Sequence, residues 1–223
     1  MAGSEKKIVF PGDVSRFPVS MTSAARHYDK AYFDKWYRHP KHRVSTNATT
    51  TRKAAMILGI AEFYLERPVR TVLDIGCGEG QWQPILKRLR PGIRYLGVDP
   101  SEYAIQRFGK ERNLKLGGFA DLGGINLTKT YDLIISSDTL YYVPRNDLNV
   151  GLSLIAQMLG GIAFLEAYAS EEALDGDFKE IEPREAAFYR RLFRRHGLVS
   201  CGPHCYAGSV LRGQVMELER GGI

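Results

Sequence analysis

Residues 72–80, Val-Leu-Asp-Ile-Gly-Cys-Gly-Glu-Gly, constrain this chain more than any other stretch. Thr71 to Leu73 run as apolar or β-branched residues into an acid, Asp74. Glycines then follow at alternate positions, Gly76, Gly78 and Gly80. Trp82, Ile85, Leu86 and Leu89 recur at helical spacing, so the piece reads as strand, tight turn, helix. Glycines there let the backbone take positive φ and approach a ligand closely. The turn also points the free N–H groups of the following helix at that ligand.

The spacing separates two ligand classes. A dinucleotide fingerprint is Gly-x-Gly-x-x-Gly with an apolar residue before it. Here a carboxylate sits two residues ahead of the first of three alternating glycines. It would repel a pyrophosphate, and it suits a ligand carrying an amino group or a sulfonium. In this pattern the sequence resembles the first motif of class I S-adenosylmethionine (SAM)-dependent methyltransferases.

A second apolar run, Ile93 to Val98, ends in Asp99, 25 residues after Asp74. In a βαβ unit that spacing places a carboxylate at the tip of the neighbouring strand, in reach of ribose hydroxyls. Pro100-Ser101 opens a helix with Ala104, Ile105 and Phe108 inward. Leu114 to Phe119 reads as a short third strand, and Tyr131 to Ser137 as a buried parallel one. Asp147 to Gly160 reads as a helix ended by Gly160-Gly161, and Ile162 to Tyr168 as a fifth strand. A helix from Glu182-Pro183 to His196 and two strands, 198–206 and 214–219, close the chain.

The resemblance covers residues 68–220. It implies an α/β fold: a Rossmann-like, doubly wound, seven-stranded sheet with its last strand antiparallel. It also implies SAM as cofactor, held by Asp74, Gly76, Cys77, Gly78, Gly80, Asp99 and Pro100. Ala120, Asp121 and Leu122 match the segment that reads the adenine, and Ser137 ends the strand that faces the methionine part. The sequence 138–144, Asp-Thr-Leu-Tyr-Tyr-Val-Pro, is similar to a group acting on small-molecule N and O acceptors. Asp138, Tyr141 and Tyr142 are accordingly the candidate catalytic residues. Glu166, Tyr168, His27 and His204 are further candidates for a general base by position. The Pro-Pro-Tyr signature of base and glutamine amino methylation is missing here, which argues against a nucleic-acid acceptor.

Residues 1–67 are expected to form an N-terminal arm and helical cap on a SAM-binding domain at 68–223. Thr22 or Ser23 starts a helix running to about Arg38, with Tyr28, Tyr32 and Trp36 at i, i+4, i+8 and Phe33 and Tyr37 beside them. His39-Pro40 ends it. Such a stripe packs on the body or roofs a site, so Tyr28, Tyr32 and Trp36, with Tyr168 and His204, are the candidate substrate contacts. A second helix spans Thr49 to Glu66, its buried side traced by Ala55, Leu58, Ala61 or Glu62, and Leu65. Arg52 on its first turns is a candidate for a cofactor carboxylate.

The first 66 residues hold eleven Lys/Arg against six Asp/Glu, and the remainder twenty against nineteen, so the net +6 lies almost wholly in the cap. A basic cap is a solvated face or a surface for an anionic partner. No apolar run approaches the roughly 20 residues that span a bilayer, and Met1 to Phe10 lacks the apolar core of a signal peptide. Three cysteines, Cys77, Cys201 and Cys205, fit a reducing, cytoplasmic setting. Cys201-x3-Cys205 with His204 has the wrong spacing for a two-cysteine zinc knuckle, so no metal site is expected. The expected activity is methyl transfer from SAM to a hydroxyl or amine of a small metabolite. An RNA methyltransferase, a non-catalytic SAM-fold module and a nicotinamide oxidoreductase remain alternatives, and the oligomeric state is open.

Overall fold

The computed structural model describes residues 28–42, 46–127, 130–171 and 181–220. The expected start of the first helix and His27 lie outside them. Asp29 caps α1 (Lys30–Phe33), its carboxylate accepting from Tyr32 N at 2.9 Å. The helix then widens into a π-helical turn, Asp34–Arg38, closed by His39 N donating to Asp34 O. Thr46 caps α2 (Asn47–Leu65), whose buried face carries Ala54, Ile57, Leu58, Ala61 and Tyr64. Ala55 is exposed and Leu65 half-buried. The helix is rotated from the expected face because Ile57 removes more apolar surface from water than Ala55 can.

The sheet contains β1 (Thr71–Ile75), β2 (Arg94–Asp99), β3 (Leu114–Leu116), β4 (Tyr131–Ser136), β5 (Leu159–Leu165), β6 (Val199–Gly202) and β7 (Cys205–Ala207). Its order is β3-β2-β1-β4-β5-β7-β6. Strands β1 to β5 pair in parallel, with Ile75 opposite Val98, and β7 runs antiparallel to β5 and to β6. This is the expected seven-stranded, doubly wound sheet. Alternate residues of each central strand feed opposite cores, as the pleat requires. Val72, Leu133 and Ile162 pack with α2 and α3 (Trp82–Leu89). Leu73, Ile134 and Ala163 pack with α5 (Arg145–Met158) and α6 (Ala186–Arg195). Between β2 and β3, α4 (Glu102–Arg112) starts from a Ser101 cap.

Two expectations at the C-terminal half are corrected. Gly160 and Gly161 do not end α5 but lie inside β5. A Cβ on Gly161 would sit 2.0 Å from the Asp132 carbonyl oxygen, so glycine is what lets β5 approach β4 there. The closing strands both fall within 199–207 and turn tightly at Pro203-His204, with His204 at φ +53°. Residues 214–219 form no strand. A short 3-10 turn, Arg212–Gln214, leads to a tail held by Tyr64, whose hydroxyl donates to Glu219.

At the opposite end of the sheet from the glycine turn, Asp132 collects a bidentate pair from Arg67 (2.7 and 3.1 Å) and the N–H groups of Arg70 (2.7 Å) and Thr71 (3.2 Å). That cluster fixes the start of β1 beside β4. No helix among the described residues is long and apolar enough to cross a membrane.

Candidate functional site

The strand order reverses between β1 and β4, so their carboxyl ends flank the crevice where open α/β sheets bind ligands. Gly76, Gly78 and Gly80 all have positive φ, +73°, +54° and +72°. The turn they make is pinned to β2: Gly76 N and Cys77 N both donate to Val98 O. At the tip of β2, the Asp99 carboxylate accepts from Gly78 N at 2.6 Å and Ser101 N at 2.9 Å. Burial dominates its ionisation and pushes its pKa up to about 6, against the pull of those two N–H groups.

Asp74 lies deeper, 1% exposed, between β1 and β2. Its carboxylate accepts from the Tyr95 hydroxyl at 2.6 Å. Burial raises its pKa to about 7, the Tyr95 bond opposing and the Asp99 charge adding. Cys77 is buried beside both acids, and burial holds its thiol well above the ordinary range, so it is a neutral packing group.

The aromatic cap lies on this turn. Phe33 is 1% exposed and stacks on Tyr103 of α4 with ring centroids 5.6 Å apart. Tyr37 meets Phe33 edge-on, and a Cβ on Gly78 would stand 2.5 Å from the Tyr37 hydroxyl. Arg38 pairs with the buried Glu79 of the turn, whose carbonyl accepts from Arg112 at 2.7 Å. Tyr28 reaches the same region through its backbone, its carbonyl accepting from Ser101 Oγ at 2.6 Å. Tyr32 packs edge-on between Tyr28 and Phe33. Trp36 faces away, against Lys35 and His42. Of the aromatic residues on this segment, Phe33 and Tyr37 are the rings that touch the turn.

At the ends of β4 and β5 a separate polar group assembles. Glu166, 4% exposed, pairs with Lys53 of α2 at 2.6 Å and accepts from Ser137 Oγ at 2.6 Å. Asp138 takes the left-handed conformation, φ +56°, and its carboxylate accepts from the Tyr168 hydroxyl. Burial and then Glu166 raise its pKa, opposed by Lys53, Tyr168 and His204. Thr139 bridges to the cofactor turn: a Cβ on Gly76 would fall 2.4 Å from its side chain. Tyr141 and Tyr142 follow on a 3-10 turn, their rings 4.4 Å apart. That turn is clamped by buried Arg184, which donates to the carbonyls of Leu140 (3.0 Å) and Val143 (2.7 Å). Burial drives the Tyr141 pKa far up, so its phenol is a neutral donor.

Other sequence candidates sit less centrally. Arg52 is exposed on α2, and its neighbour Lys53 is the one that reaches the strand ends. Leu122 is buried in the core beneath α5. The Asp121 carboxylate accepts from Gly118 N at 2.8 Å, shaping the loop after β3. His204 turns the β6–β7 hairpin, its ring edge-on to Phe164. Lys53, Arg38, Tyr103 and Arg184 carried no local sequence signal, since each acquires its role only through long-range packing. Cys201 and Cys205 are buried strand residues with free thiols.

These features fit SAM by their chemistry. The turn offers close backbone approach, Asp99 offers a carboxylate for ribose hydroxyls, and Asp74 supplies negative charge beneath the turn. The family described as methyltransferase domain matches the chain over residues 26–205. Similar folds include a SAM-dependent methyltransferase from Archaeoglobus fulgidus (TM-score 0.58, 18% identity, 75% of this chain and 73% of that one). DesVI of Streptomyces venezuelae superposes with TM-score 0.57 at 16% identity, over 71% of this chain and 91% of its own. The magnesium protoporphyrin IX methyltransferase of Synechocystis, crystallised with bound S-adenosylhomocysteine (SAH), does so with TM-score 0.57 at 15% identity, over 83% and 98%. No curated protein sequence matches the chain. The matched domain, the sheet order and the acid-flanked glycine turn lead to one conclusion: this chain belongs to the class I methyltransferase family, whose methyl donor is SAM.

Proposed function

We propose that the protein transfers the methyl group of SAM to a hydroxyl or amine of a small metabolite. One observation carries this reading: Asp138, Tyr168, Glu166 and Lys53 converge at the ends of β4 and β5, beside the cofactor turn. In this reading residues 28–67 act as a cap, with Phe33 and Tyr37 closing the cofactor side. One of the similar folds bears the name of a small molecule, the magnesium protoporphyrin IX methyltransferase, which is consistent with it.

SAM supplies a methyl group made electrophilic by the sulfonium that bears it. The chain's own groups align, exclude water and handle the acceptor proton. The Gly76–Gly80 turn would hold the methionine end and Asp99 the ribose hydroxyls. Asp138, its pKa raised by burial, is the group best placed to take a proton from the acceptor. Tyr141 serves as a neutral hydrogen-bond donor, and the Tyr168 hydroxyl donates to Asp138.

Calorimetry tests the cofactor half: SAH binds, NAD⁺ does not, and Asp99→Ala weakens SAH by about 1.5–3 kcal/mol, the range for losing hydrogen bonds to a charged group. Tight NAD⁺ binding without SAH binding would reverse the assignment. Labelled methyl transfer into a metabolite extract, run beside a salt titration of tRNA and duplex DNA, tests the acceptor half. Labelled RNA, with micromolar RNA affinity at about 150 mM salt, would refute the small-molecule reading.

A further inference from the structure

Three segments far apart in sequence place ionisable groups on one spot of the sheet. Lys53 comes from α2, Ser137 and Asp138 from the end of β4, and Glu166 from the end of β5. Glu166 is fixed twice, by the Lys53 ammonium at 2.6 Å and by Ser137 Oγ at 2.6 Å. Its backbone N–H is tied down too, donating to Ser136 O at 2.9 Å. Lys53 is therefore already committed to Glu166. Asp138 accepts from Tyr168, and among the described residues no cation forms an ion pair with it. Lys53 and His204 act on it only at longer range, as does the like charge of Glu166. Among the described residues, two carboxylates thus stand near one ammonium, which is paired with Glu166, at strand ends where open α/β sheets bind ligands.

We propose that this station selects an amine as methyl acceptor: Asp138 receives the acceptor's ammonium and then its proton, while Glu166, held by Lys53, is a positioning residue. The proposal rests on the methyltransferase reading above and narrows its acceptor from hydroxyl or amine to amine alone. A carboxylate or phosphate acceptor would add negative charge where one carboxylate has no ion pair among the described residues. A phenol would have to develop its oxyanion beside the same charge, with Lys53 turned to Glu166. An ammonium supplies the missing positive charge. Its N–H bond then breaks, the electron pair stays on nitrogen, and the proton forms an O–H bond on Asp138. The neutral amine so produced has the free lone pair that methylation requires. Burial of Asp138 favours the protonated carboxyl it becomes.

A binding experiment separates this from the cofactor assignment. Sinefungin carries an amine-bearing carbon where SAM has its sulfonium, so its ammonium projects toward the acceptor station, while SAH has a neutral sulfur there. Titration calorimetry with both on the wild-type protein should show sinefungin binding at least tenfold tighter than SAH. Asp138→Asn should bring the ratio within about threefold of one. Glu166→Gln should do the same, because Lys53 is then released toward Asp138. Lys53→Met should keep or raise the ratio, a direction that general loss of packing would not produce. Equal affinities in the wild type, an unchanged ratio in Asp138→Asn, or a fall in Lys53→Met would overturn the amine assignment. If SAH itself fails to bind, the cofactor reading falls with it. If SAH binds with sinefungin at parity, only the amine assignment is lost.

Discussion

Asp74→Asn should make the ligand-free protein more stable while weakening its hold on SAM. The wild-type carboxylate is 1% exposed and has one hydrogen-bond donor among the described residues, the Tyr95 hydroxyl. Its pKa stands at about 7 against an ordinary 3.8, chiefly through burial. At 1.36 kcal/mol per pH unit, that gap corresponds to about 4 kcal/mol of cost for keeping the group ionised in the fold. The sign is fixed by proton counting. Between pH 4 and 7 the folded chain binds the proton more tightly than the unfolded chain, so the wild type loses stability as pH rises through that window. Asparagine carries no charge at any pH and can still accept from Tyr95 through its carbonyl. Urea denaturation should therefore give nearly equal stabilities at pH 4 and an advantage of about 4 kcal/mol for the variant at pH 8. In a chain of this length that is a rise in Tm of about 8–16 °C. SAH affinity should fall at the same time, because negative charge beneath the glycine turn is gone. Parallel pH profiles, or a variant less stable at pH 8, would show that Asp74 ionises freely in the folded chain and would refute this reasoning.

Asp132→Ala should cost about 2–4 kcal/mol in urea denaturation at pH 7, below the 3–5 kcal/mol of a fully buried broken pair because Arg67 is 41% exposed. Burial works against ionisation of Asp132, but Arg67 and two backbone N–H groups hold its pKa below the ordinary range. Its contribution is complete above the unfolded value near 3.8 and disappears as pH falls through the lower folded value, so the variant and wild type should converge only in strong acid. Gly161→Ala should destabilise by more than about 3 kcal/mol, since its Cβ meets backbone at 2.0 Å and β4 and β5 must part; a neutral result in thermal melts would mean the strands are not in this register. Gly78→Ala puts a side chain at φ +54° and against Tyr37, with a left-handed penalty of about 1–2 kcal/mol. Calorimetry should show SAH binding weakened at least tenfold, and adding Tyr37→Phe should restore part of it, because the remaining ring contacts stand at 3.2 and 3.3 Å. No recovery would place the cap elsewhere.

The sequence by itself determined the frame of the fold and the glycine turn after β1. The runs into Asp74 and Asp99, the alternating glycines and the helical repeats after them are local patterns, and local patterns set strand, turn and helix wherever they agree. The doubly wound sheet was implied by the family resemblance, whereas its strand order is read only from the structure. Where local signals were ambiguous, tertiary structure decided. Gly160-Gly161 has the composition of a helix stop, yet the close approach of β5 to the Asp132 carbonyl makes it part of a strand. Residues 214–219 alternate like a strand, but Cys205–Ala207 already fills the place between β5 and β6. Among the cap aromatics, period alone favoured Tyr28, Tyr32 and Trp36. In the structure Phe33 and Tyr37 lie against Gly78 and Trp36 turns to His42. Lys53 shows the limit most clearly. It resembles any helix-surface lysine, and only the fold brings its ammonium across 113 residues of chain to Glu166, because long-range ion pairs leave no trace in local spacing.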